Sequence, residues 1–220
     1  MIPYAPQALL ATISQYNLDS WPAHIPALLL IVLLVGQLFK KTPGRGRIAS
    51  VILSIFWFWV AVFYFLRTYM DLNWVGIWLA EIFAFQGFLI FIWGIALNRL
   101  QFGLRANSST LLGLIWLVLV MLVSPVVQYY LNKDFLQADY FAMQPDQLVA
   151  LTLVFLLYFH AACRWFLLLI PLAWVLYSLI WSLMLGDASQ MVLPLMSLAL
   201  IAVNLLNRLF KRGRQSVPAP

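Results

Sequence analysis

The sequence predicts an all-α fold: a polytopic membrane bundle of seven transmembrane helices, N-terminus outside and C-terminus inside, preceded by a short interfacial helix. Three observations carry this. Of 220 residues, 65% are hydrophobic and 9% charged, against roughly 45–50% and about 25% in a soluble domain. The apolar residues fall into runs of span length, with charges gathered between them. Those charges also sort by sign onto alternate sides when seven spans are counted. The longest stretch between apolar runs, Asn132 to Asp146, is too short for a core of its own, so residues 1–220 read as one integral-membrane domain.

From Pro6 to Tyr16, Leu9, Leu10, Ile13 and Tyr16 share one helical face, which predicts a short helix lying at the membrane surface. The segment Met1 to Asn17 lacks the basic flank and apolar run of a cleavable signal and is expected to be retained. Trp21 and Pro22 open the first span, about 24–39, which ends at Lys40, Lys41, Arg45 and Arg47, with Pro43, Gly44 and Gly46 in the loop. The second span covers about 48–66, followed by Arg67, Tyr69, Met70 and Asp71. The third, about 74–97, carries Glu81, the only acidic residue inside an apolar run. The fourth, about 110–131, contains Pro125, which should bend it. Asp134, Asp139 and Asp146 read as loop charges. The 39 residues from Gln147 to Leu185 would make a single helix of about 58 Å at 1.5 Å per residue, about twice the 30 Å hydrocarbon thickness. They are divided near Arg164 into spans of about 147–162 and 166–185. A seventh, about 191–210, leads to Lys211, Arg212 and Arg214.

With the N-terminus outside, Lys40, Lys41, Arg45, Arg47, Arg99, Arg105, Arg164, Arg208, Lys211, Arg212 and Arg214 fall inside, and only Arg67 and Lys133 outside. Asp19, Asp71, Asp134, Asp139, Asp146 and Asp187 all fall outside. Merging two spans would put the basic tail on the acidic side. The net charge of +6 is therefore a set of topology signals facing anionic lipid, and no nucleic-acid partner is implied.

A carboxylate in hydrocarbon costs several kcal/mol, so Glu81 is paired, hydrated or used. Counted from the outer surface at 1.5 Å per residue, it lies about 10 Å deep. Tyr64, Ser124, Thr152, Ser178 and Ser197 come to similar depth, with Arg67 about one turn shallower. Two readings stand side by side. In one, an outward-facing polar cavity surrounds Glu81, with Arg67 as counter-charge. In the other, Glu81 and Arg67 are a structural pair, or Glu81 is protonated, and the hydroxyls bond their own helices.

His160, Cys163 and Arg164 form a second, weaker cluster near the inner face. A His and a Cys without a local third ligand read as an interfacial group, and no metal site is expected. Met70, Met143, Met184 and Met191 near the outer surface read as packing. One cysteine excludes an internal disulfide and a multi-cysteine cluster. His24 and His160 lie near opposite surfaces and cannot share a haem. Every lysine is in a loop or tail, which excludes a retinal Schiff base. No Walker loop, HExxH or GxSxG occurs, so neither an enzyme nor a cofactor is expected.

Tyr16-Asn17 followed by Trp21-Pro22, the run Phe56-Trp57-Phe58-Trp59 leading to Tyr64, and Phe83-Ala84-Phe85-Gln86-Gly87-Phe88-Leu89 together resemble an uncharacterised bacterial integral-membrane family, domain of unknown function six-zero-six-four. The resemblance implies a multi-span protein of the bacterial inner membrane and supplies no activity. Where the family opens its fifth span with Gly-x-Pro-Cys-Pro-Thr, this chain has Met143-Gln144-Pro145-Asp146-Gln147-Leu148, so any chemistry of that Cys and Thr does not carry over. Two function classes follow. One is a small permease or ion-coupled carrier, with Glu81 binding a proton or cation and an outer cavity admitting a small solute. The other is an accessory or scaffold subunit that meets a membrane-protein partner through its lipid-facing sides.

Overall fold

A computed structural model describes residues 5–104, 108–159 and 165–215. The described chain forms α1 (Pro6–Asp19), α2 (Trp21–Phe39), α3 (Arg45–Leu72), α4 (Gly76–Ala96), α5 (Ser109–Asn132), α6 (Pro145–Phe159), α7 (Trp165–Leu185) and α8 (Ala188–Gln215). Six of them, α2 to α5, α7 and α8, are long and apolar enough to cross a membrane. Prolines open α1, α2 and α6 within their first turns, where the missing N–H is not needed. Gly44, at φ 92°, turns the chain into α3.

The expected span at 147–162 is α6, which begins two residues earlier and is apolar over its described residues, Pro145–Phe159. Every side chain from Pro145 to Phe159 is buried except those of Asp146 and Leu157, because α3, α5, α7 and α8 pack around it. A helix enclosed in this way by other helices does not meet lipid over that length.

Four helices carry wide i→i+5 turns: Val60–Tyr69 in α3, Ile92–Ala96 in α4, Leu119–Val123 in α5 and Phe155–Phe159 in α6. The one in α5 lies just before Pro125, whose ring would collide with the carbonyl four residues back in a regular α-helix. The expected bend is met there by a widened turn.

The expected short helix, α1, rests on one end of the bundle. Leu9, Ile13, Tyr16 and Asn17 are buried against the 135–137 turn and the end of α3. The opposite end is closed by the 97–104 connection. Leu100 and Phe102 are fully buried there, the Gly103 N–H donates to Phe159 O at 3.1 Å, and the Leu104 N–H donates to Leu38 O at 3.3 Å.

Candidate functional site

Two carboxylates that read as loop charges are drawn into the end of the bundle under α1. Asp139, in the connection between α5 and α6, is 3% exposed. Asp146 stands in the first turn of α6 and is partly buried. Both line one cavity of about 50 Å³ together with Tyr64, Tyr69, Trp174, Ser178 and Gln190. That is room for a few waters or a small ion. Among the described residues, no Lys, Arg or His lines it.

The wide turns of α3 supply the tyrosines. In a regular α-helix residues i and i+5 point about 140° apart, whereas an i→i+5 turn brings them back onto one face. The Tyr64 and Tyr69 rings are accordingly stacked, with centroids 6.2 Å apart and planes 17° from parallel. From α7, Trp174 Nε1 donates to Asp146 Oδ1 at 2.6 Å and Ser178 Oγ donates to Asp146 Oδ2 at 2.9 Å.

The two carboxylates have different environments. Each oxygen of Asp146 accepts a hydrogen bond, and the residue sits at the positive end of the α6 dipole, two features that offset part of the cost of holding a charge there. Asp139 has one amide donor, Gln128 Nε2 at 3.3 Å from Oδ2. Burial pushes the Asp139 carboxyl well above the ordinary carboxylate range, the charge of Asp146 adds to that shift, and the Gln128 bond opposes it. Of the two, Asp146 is the better seat for a negative charge and Asp139 the better seat for a proton. Gln190, 8% exposed, lines the same cavity, and its Nε2 is a buried donor without a partner.

Buried amides hold the carboxylate loop in place. Asn17 Nδ2 donates to Leu136 O at 2.7 Å and Ala138 O at 3.0 Å, while Gln144 Nε2 donates to Asn17 Oδ1 at 2.9 Å. Tyr16 Oη donates to Met143 O at 2.7 Å and accepts from Trp59 Nε1 at 2.9 Å. Between the two aspartates, Phe141 and Ala142 take left-handed φ values of 52° and 57°, a conformation costly for residues with a Cβ. It is held by the Ala142 N–H donating to Gln147 Oε1 at 2.8 Å, while Gln147 Nε2 donates to Val120 O at 3.0 Å.

The sequence matches one family over residues 7–215. The chain belongs to the family of unknown function DUF6064. No curated protein and no solved structure matches it. The residues that carried the resemblance are working parts of the DUF6064 bundle. Tyr16 and Asn17 make the clamp just described. Trp57 Nε1 donates to Thr152 Oγ1 at 3.0 Å, joining α3 to α6. Phe83 meets Trp57, Phe65 and Trp174 at centroid distances of 4.7–4.8 Å. Gln86 Nε2 donates to Leu167 O at 3.0 Å, joining α4 to α7.

The residues singled out by depth are dispersed. Tyr64 and Ser178 line the carboxylate cavity. Ser124 Oγ bonds Val120 O and Thr152 Oγ1 bonds Leu148 O, each within its own helix, and Ser197 is buried. Arg67 lies over the Phe63 ring, 4.9 Å from its centroid, beside a pocket lined by Asp19 and Trp59. Glu81 is exposed on α4 and faces a different groove, shared with α7. The structure therefore brings neither Arg67 nor the hydroxyl layer to Glu81. His160, Cys163 and Arg164 lie outside the described residues.

Proposed function

We propose that this protein is a proton-coupled carrier of the bacterial inner membrane, in which the Asp139–Asp146 pair takes up and releases one proton. The supporting observation is a pair of carboxylates on one small cavity that no basic side chain of the described residues lines. Such a pair keeps a proton that it can exchange, because two anions confined together in a low dielectric repel each other. The unequal donor sets give the proton a preferred home on Asp139.

The proposal includes the full topology: α6 is a seventh, protein-enclosed crossing, with the N-terminus outside and the basic tail inside. The placement of arginines and lysines supports it, and so does the burial of all but two side chains of α6 among other helices. The carboxylate cavity then opens toward the outer surface, and the 97–104 connection closes the inner end.

The test is proton flux in proteoliposomes carrying an internal pH dye, with an imposed pH gradient and a panel of small solutes. A solute-dependent proton flux that Asp146→Asn abolishes is the expected result. Asp146→Asn keeps the size and one acceptor of the native side chain, so folded yield should hold. Flux that survives Asp146→Asn, or no flux with any solute, defeats the carrier reading and favours a scaffold with a structural acid pair.

A further inference from the structure

Glu81 is the chain's only acid in an apolar run, and the structure gives it no partner in the carboxylate cavity. It stands instead at an open groove of about 560 Å³ between α4 and α7, within the roughly 300–1,000 Å³ typical of small-molecule sites. Phe83 and Phe85 on the α4 side, and Leu169, Trp174 and Tyr177 on the α7 side, give it an otherwise apolar and aromatic wall. Glu81 is its one formal charge.

We propose that this groove binds a hydrophobic organic cation of drug-like size, entering sideways from the membrane. The chemistry requires both halves. A carboxylate at a lipid-facing groove is costly without a counter-charge. A compact hydrated ion is a poor match, since one carboxylate cannot replace its water shell and the remaining wall offers carbon surface and π faces. A delocalised or quaternary cation carries little hydration to lose, gains apolar contact along the groove, and is attracted to the faces of aromatic rings. Trp174 and Tyr177 line this groove and the carboxylate cavity alike, and Trp174 Nε1 is bonded to Asp146. The two sites are therefore one residue layer apart. Binding in the groove does not depend on the proton chemistry of the aspartates.

The experiment is equilibrium binding of tetraphenylphosphonium to the full-length protein in phosphatidylcholine nanodiscs, with tetraphenylborate as the anionic control of the same shape. The cation should bind saturably and the anion should not. Glu81→Gln should weaken cation binding about tenfold or more, as expected when one member of a partly desolvated charge pair is removed. A second variant, Ala173→Trp, fills the groove from an exposed position on α7 and should also block binding without disturbing the core. Asp146→Asn should leave binding intact, which separates this site from the proton pair. Equal binding of cation and anion, or cation binding unchanged in both groove variants, overturns the proposal. So does displacement of the cation by phosphatidylethanolamine nanodiscs, which would assign the groove to a lipid amine.

Discussion

The contact between α1 and the carboxylate loop rests on Asn17, and its removal has a size that can be worked out bond by bond. Asn17→Ala loses three hydrogen bonds. Two of the groups left behind still have each other, because Gln144 Nε2 also donates to Ala138 O at 3.2 Å. Leu136 O is left without its Asn17 donor. Each lost bond is worth about 0.5–1.5 kcal/mol, and the Leu136 carbonyl, on an exposed residue, can turn to water, so the total is about 1.5–4.5 kcal/mol. For a chain of this length each kcal/mol moves Tm by about 2–4 °C, which predicts a fall of about 3–18 °C. Thermal unfolding of the detergent-purified protein, read by gel filtration of the surviving folded fraction, measures it. Hydrogen exchange adds location: residues 6–19 and 134–144 should lose protection, while α4 should not. A fall of under about 2 °C, or exchange that rises equally throughout, would refute the clamp.

Stability should decline with rising pH. The folded Asp139 carboxyl titrates above its unfolded counterpart, so the folded state holds the extra proton between the ordinary carboxylate value near 4 and the raised folded value, and each pH unit in that window removes up to about 1.4 kcal/mol. Asp139→Asn should flatten that slope, as seen in Tm measured across pH. Gly46→Ala should lower Tm through a cost of about 1–3 kcal/mol, since a Cβ there would strike the Leu100 carbonyl oxygen, a backbone atom without a rotamer to escape into. Trp57→Phe should cost about 1 kcal/mol through the lost bond to Thr152, and Thr152→Val in the same background should add less than it does alone, a double-mutant cycle in unfolding experiments.

The membrane class and the order of the helices were legible because composition, span length and loop charge act locally. The site was less so, and α4 shows why. In a soluble helix an acid marks the outer face, but in a membrane both faces are apolar and a lone charge reads as inward. The face that packs is marked by its small residues: Gly76, Ala80 and Gly87 are buried together with Phe83, Gln86 and Ile90. Glu81 is one position off that stripe, about 100° around the helix, between exposed Trp78 and Phe85. The stripe was visible in the sequence and pointed Glu81 away from the core. Asp139 and Asp146 had no comparable local signal. Their burial depends on α1, more than a hundred residues upstream, folding over the loop and engaging it through Tyr16 and Asn17.

A single exchangeable proton shared by Asp139 and Asp146 should be visible to infrared difference spectroscopy of the purified protein across pH, in wild type, Asp139→Asn and Asp146→Asn. Wild type should show a protonated-carboxyl band that vanishes reversibly as pH rises and is absent in Asp139→Asn. In Asp146→Asn, where the neighbouring charge is gone, the band should vanish at lower pH. A band that survives Asp139→Asn unchanged, or none in the wild type at any pH above the ordinary carboxylate range, would rule the shared proton out.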